Sequence, residues 1–273
     1  MSSHKNKKHI DLYGASYGHF TSSLYEEIRR ETYGEDIGQN GWLTAEEQDK
    51  FISWFELKPN SKILDVACGS GGPSLRLARL TKSHVHGIDA HEQGIANAKE
   101  LALKQGQTEQ TTFDVMDASK PLSLPDASYD AVVCIDAINH LPDRHGILSD
   151  WARLIKPGGR VLFTDPIVVT GPLSNEEIAI RSSVGYFLFV PPGEDQRIIK
   201  EVGLELLICE DVTDNMVRMA RRWGAARASR EKDLRKIEGD ETFAGHQAFF
   251  SVAALIAGER RLSMFIYVAT KQE

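Results

Sequence analysis

The stretch Ile63-Leu64-Asp65-Val66-Ala67-Cys68-Gly69-Ser70-Gly71-Gly72-Pro73 constrains this chain more than any other. An apolar, strand-like run carrying one acid enters a glycine-rich turn, and the turn ends on a proline of the kind a helix accepts at its first position. Glycines let a backbone approach a ligand closely, and the free amides of a helix N-terminus face whatever sits above the turn. The stretch reads as a strand–turn–helix unit holding a small polar cofactor.

The rest of the chain repeats that unit. Short β-branched runs at Lys62–Val66, His84–Ile88, Thr111–Val115, Ala131–Ile135, Arg160–Thr164, Leu204–Cys209 and Ser263–Ala269 make seven strand candidates. Between the first five lie helical periods such as Pro73–Leu80 and Gln93–Gln105, the pattern of an α/β fold with a mostly parallel seven-stranded sheet and helices on both faces. Lys156-Pro157-Gly158-Gly159 reads as a turn between helix and strand. Residues 1–60 read as helices around a polar turn, Tyr33–Asn40, and form an N-terminal helical lid; residues 61–273 form the main domain. Its insertions at about 171–200 and 212–260, with helical patterns at Val212–Ser229 and Glu241–Ile256, read as a cap before the last strand.

With 273 residues the chain is one large domain or two small ones, and it can bury a core without staples. Its formal charge of −7 disfavours non-specific adhesion to nucleic acid or an anionic membrane. The first ten residues carry charge without an apolar stretch behind it, and the apolar run Ala248 to Ala257 is about half the length of a membrane span, so a cytoplasmic protein is expected. Cys68, Cys134 and Cys209 have no metal-site spacing and read as reduced core residues.

Two cofactor classes compete for the turn. A dinucleotide fold wants Gly-x-Gly-x-x-Gly, but counting from Gly69 gives Gly71 and then Ser74. The segment instead resembles motif I of the class I S-adenosylmethionine-dependent methyltransferases, although that family usually has glycine where this chain has Ala67. Further segments are similar to the family in order and spacing. His86-Gly87-Ile88-Asp89 resembles the second strand end, whose acid holds the ribose hydroxyls, and Asp114-Val115-Met116-Asp117 resembles the adenine site. Tyr129–Val133 and Leu154–Arg160 resemble the fourth strand and the turn before the fifth. The resemblance implies a Rossmann-like fold with S-adenosylmethionine as cofactor and S-adenosylhomocysteine as product. It implies a cradle of Asp65, Ala67, Gly69, Gly71, Asp89, Met116, Asp117 and Ile135.

Methyl transfer needs an acceptor lone pair brought within about 3 Å of the methyl carbon, and often a base to take a proton. Asp136-Ala137-Ile138-Asn139-His140 follows the fourth strand at the carboxyl edge, where such sheets bind ligands. His140 is the candidate base and Asp165 its candidate orienting partner. The same segment resembles the sarcosine/dimethylglycine and phosphoethanolamine N-methyltransferases, which brings forward Tyr17, Tyr25, Trp42 and Asn139 around the acceptor; it also resembles sugar O-methyltransferases of natural-product pathways. Arg218, Arg221, Arg222, Arg227 and Arg230 read as a solvated face of the cap, unless one turns inward to an anionic substrate. Met216, Met219, Ala220 and Trp223 read as core or pocket wall, and Phe187, Phe189, Pro191 and Pro192 as the pocket mouth.

The Asn/Asp-Pro-Pro-aromatic run of nucleic-acid methyltransferases is not at residues 136–139, nor is the glutamate pair of protein arginine methyltransferases. Asp165 precedes Pro166 rather than the Asn of magnesium-dependent catechol enzymes, so no metal is expected, and His84-x-His86 reads as packing. The expectation is methylation of a small-molecule acceptor, most simply at an amine nitrogen. Oxygen transfer to a sugar or natural product is the alternative, and a cofactor-binding regulatory module a second. The acceptor's identity and the oligomeric state stay open.

Overall fold

The computed structural model describes residues 12–272. In chain order the helices are α1 (Leu12–Gly18), α2 (Ser23–Tyr33) and α3 (Ala45–Ser53), followed by the alternating part β1 (Lys62–Val66), α4 (Gly72–Thr81), β2 (His84–Asp89), α5 (Glu92–Lys104), β3 (Thr111–Val115) and β4 (Tyr129–Cys134). A single 3-10 turn, Ile138–His140, leads into α6 (Arg144–Leu154) and β5 (Ile155–Val169). The remainder is α7 (Asn175–Arg181), α8 (Glu194–Glu201), β6 (Leu204–Asp211), α9 (Thr213–Ala228), α10 (Glu231–Glu238), α11 (Asp240–Gly258) and β7 (Leu262–Lys271).

The seven strands pair in the order β3-β2-β1-β4-β5-β7-β6, with β7 antiparallel to both neighbours. Side chains alternate across the sheet and split the core in two. Ile63, Val85, Ala131, Val133 and Leu162 face the lid and cap, where Tyr33, Trp42, Met216, Trp223 and Phe250 pack on them. Leu64, Val66, Ile88, Val132 and Phe163 face Leu148 and Trp151 of α6 and Ile198 and Ile199 of α8. Burial on both faces is what lets these strands read as near-continuous apolar runs.

Several expectations need correction. Lys156–Gly159 lies inside β5: Tyr129 pairs with Ile155 and Ala131 with Arg160, so the extra residues bulge out at Gly158, whose φ is +73°. The strand also runs past Asp165-Pro166, where the ladder to β7 shifts because proline offers no N–H. Cys209 is exposed rather than in the core, because it sits on edge strand β6. Arg227 is buried, not solvated, and pairs with Glu238 of α10, a helix the periodicity did not reveal. Among the described residues no helix is long and apolar enough to cross a membrane.

Candidate active site

The strand order reverses between β1 and β4, so the connections leaving their carboxyl ends run to opposite sides and leave a crevice. A cavity of about 620 Å³ occupies it, walled by the β1–α4 turn below and by residues 38–43 of the lid above. The Ala67 backbone takes φ +60°, the left-handed conformation that glycine adopts without penalty, so the turn holds a glycine-like path despite carrying a Cβ.

Acids ring the inner end of this cavity. Asp89 accepts from the amides of Gly69 (2.9 Å) and His91 (2.8 Å), which fix its carboxylate at the cavity wall; burial raises its pKa against those two bonds. Asp65 accepts from the Ser74 hydroxyl at 2.5 Å, and burial lifts it to about 7 despite that bond. Met116, Asp117 and Ile135 complete the wall. Asp117 is exposed and held at about 2 by Lys120 and Ser119. Two fixed carboxylates beside backbone amides and apolar walls suit a ligand with a vicinal diol, a cationic centre and a flat base. The residues present therefore fit S-adenosylmethionine.

The outer end is built by the 3-10 turn and the lid. His140 donates through Nδ1 to the Tyr186 carbonyl at 2.8 Å, which leaves Nε2 unprotonated to accept from the Tyr13 hydroxyl, also at 2.8 Å. Burial lowers the His140 pKa to about 4, so the ring is neutral near pH 7. Phe187 stands edge-on to it, 4.7 Å between centroids. Asp136, at φ +57°, accepts from the Trp42 amide (2.5 Å) and the Thr164 hydroxyl (2.9 Å) and so pins the lid to the sheet. Gly41 is needed there, since an added Cβ would stand 2.5 Å from Asp136 Oδ2.

Of the residues singled out from sequence, Asp65, Ala67, Gly69, Asp89, Met116, Asp117, Ile135, Tyr17, Trp42, Asn139 and His140 all border this cavity. Three do not. Asp165 does not orient His140: it is fully buried and takes a hydrogen bond from Arg144 at 2.7 Å, which also binds Asp195. Tyr25 turns away and donates to Glu238 of the cap. Gly71 lies beneath the turn, where a Cβ would meet Ala98 at 2.6 Å, so it serves helix packing. Phe189 packs toward Ile167 and Leu262, and Pro191 and Pro192 lie on the surface away from the cavity, leaving Phe187 as the one residue of that set on the wall. Sequence reasoning missed Tyr13, Asp136 and Arg181. Tyr13 was detectable, being four residues before Tyr17 and therefore on the same helix face. Arg181, the last residue of a short helix, carried no such signal.

Residues 57–184 match the family described as a methyltransferase domain. The 27-O-demethylrifamycin SV methyltransferase of Amycolatopsis mediterranei (strain S699) is 30% identical over 201 residues, covering 69% of this chain and 74% of that protein. The phosphoethanolamine N-methyltransferase of Triticum aestivum is 29% identical over 247 residues, or 89% of this chain and 46% of the relative, so the chain spans about half its length. The solved phosphoethanolamine N-methyltransferase 2 of Haemonchus contortus, in complex with S-adenosyl-L-methionine, shares the fold with a TM-score of 0.78 at 20% identity, over 94% of this chain and 60% of that one. By these matches the chain belongs to the S-adenosylmethionine-dependent methyltransferases.

Proposed function

We propose that this methyltransferase acts on the amine nitrogen of a small molecule, with His140 as the base. Bound in the inner cradle, S-adenosylmethionine supplies an electrophilic methyl group. Asp89 takes the ribose hydroxyls, Asp65 the cationic end, Asp117 and Met116 the adenine, and Ala67, Gly69 and Ile135 the walls. The observation that carries the reading is the neutral His140 at the cavity's outer end, its unprotonated Nε2 accepting from the Tyr13 hydroxyl.

A proton leaving the acceptor passes to the Tyr13 hydroxyl oxygen as that hydroxyl gives its own proton to Nε2, and the Nδ1–H bond to the Tyr186 carbonyl holds the ring in the required tautomer. A base this weak is poorly matched to an alcohol, whose proton is held far more tightly than that of an alkylated ammonium. The acceptor end also favours a nitrogen: Tyr17 and Trp42 offer electron-rich faces, and the buried Oδ1 of Asn139 has no hydrogen-bond partner among the described residues. The lid, from residue 12 to 60, and the cap insertions border the site, which suits a small acceptor rather than nucleic acid, and the protein acts in the cytoplasm; residues 1–11 of the expected lid lie outside the described residues. Likeness to the rifamycin relative favours oxygen as the second reading.

The test is transfer from methyl-labelled S-adenosylmethionine to matched amine and alcohol pairs. Label on the amine supports the reading, and label on the alcohol alone favours the second. Binding of S-adenosylhomocysteine with no transfer to either would point to a regulatory module.

A further inference from the structure

Arg181 is 1% exposed and borders the cavity, yet its guanidinium makes no hydrogen bond or ion pair among the described residues, and its Nε is fully buried without a partner. Its surroundings are rings: the guanidinium carbon lies 4.9 Å from the centroid of Phe187, 4.8 Å from Phe249 and 5.8 Å from Trp42. The other buried arginines differ. Arg144 pairs with Asp165 and Asp195, and Arg227 with Glu238. No carboxylate stands within ion-pair distance of Arg181 among the described residues, and Asp136 and Asp165 act on it only from farther off. A buried charge with no direct partner is costly, and cation–π contacts of about 0.5–2 kcal/mol recover only part of that. Burial lowers the Arg181 pKa to about 10, which still leaves it charged at neutral pH.

We infer that Arg181 is an anion-recognition residue and that the acceptor carries a carboxylate on an apolar frame. The inference rests on the methyltransferase reading above, since it assigns part of the same cavity. Phe187 ties the two ends together, with both the His140 ring, 4.7 Å away, and the Arg181 guanidinium carbon, 4.9 Å away, packed against it. The anion therefore sits one small-molecule length from the reacting nitrogen. A planar carboxylate matches the guanidinium fork and balances its single charge; a phosphate dianion would call for a second cation, and none of Arg218, Arg221, Arg222, Arg227 and Arg230 lines the cavity. The aromatic walls take the frame between the two groups.

The experiment titrates the full chain, loaded with S-adenosylhomocysteine, with 3-phenylpropionate, its primary amide and phenyl phosphate, by ligand-observed NMR. The carboxylate is expected to bind about ten-fold tighter than the amide, as a charge-assisted bond implies. Arg181→Met should abolish that preference, and Arg181→Lys should restore part of it. Arg181→Met without ligand should melt no lower than the wild type, because it removes a buried charge that has no direct ion pair. Equal or absent binding of carboxylate and amide by the wild type overturns the inference, as does selection of phenyl phosphate, or an Arg181→Met variant that keeps the preference. Failure of S-adenosylhomocysteine to load would instead overturn the cofactor reading, so the two failures are distinguishable.

Discussion

Asp89 stands where two backbone amides aim its carboxylate into the cavity. Asp89→Ala should weaken S-adenosylhomocysteine binding by at least about ten-fold, measured by calorimetry, because two charge-assisted bonds are lost at once. Unchanged affinity would remove it from the cradle. His140→Ala should lower kcat by about 10²- to 10⁴-fold with cofactor affinity intact. His140 also bears on stability: its folded pKa of about 4 lies below the free value of 6.5, so the unfolded chain binds the proton first as pH falls. Stability is therefore lost between pH 6.5 and 4, and urea melts of His140→Gln should show a shallower decline there than the wild type. Ala67→Gly should raise stability by up to about 1 kcal/mol, since the left-handed backbone no longer carries a Cβ. A destabilised glycine variant would mean that the methyl group packs usefully.

Between elements, the lid is tied to the cap by a buried cluster. Tyr25 of α2 donates to Glu238 of α10, which also pairs with Arg227 of α9, while His246 of α11 lies beside both. Burial pushes the Glu238 carboxyl up, but hydrogen bonds from His246 and Arg227 outweigh it and hold it at about 2, below its ordinary 4.5. Its contribution is present above pH 4.5 and lost as pH falls toward 2. Glu238→Ala should cost about 3 kcal/mol in a denaturation melt at pH 7, because it strands Arg227 in the core. The difference from wild type should shrink on acidification through that window. If the variant matched the wild type at pH 7, the cluster would not be what fastens lid to cap. The resemblance to the N-methyltransferases places Tyr25, an aromatic residue of the lid, at the acceptor; the partner that claims it lies 213 residues away, beyond any local pattern.

At the scale of the whole molecule, the cavity is bordered from above by Tyr13 and Tyr17 of α1 and by residues 38–43, so a ligand seated in it packs against both segments. Hydrogen exchange should slow in residues 12–20 and 34–44 when S-adenosylhomocysteine is added, while β1 and β4, buried on both faces, should exchange slowly with or without it. Protection confined to the β1–α4 turn would mean that the lid does not answer to the cofactor. The sequence by itself determined the strand–turn–helix unit, the mostly parallel sheet and most of the singled-out residues that border the cavity. These rest on short-range causes: which backbone angles a residue tolerates, where a helix can start, which strands are buried on both faces. Only the tertiary structure decided that Asp165 belongs to Arg144, that Tyr25 belongs to the cap, and that a buried guanidinium with no direct ion pair among the described residues borders the cavity from α7. Those outcomes depend on which charges meet in a low-dielectric interior, where pairing far outweighs local preference and the partners come from distant parts of the chain.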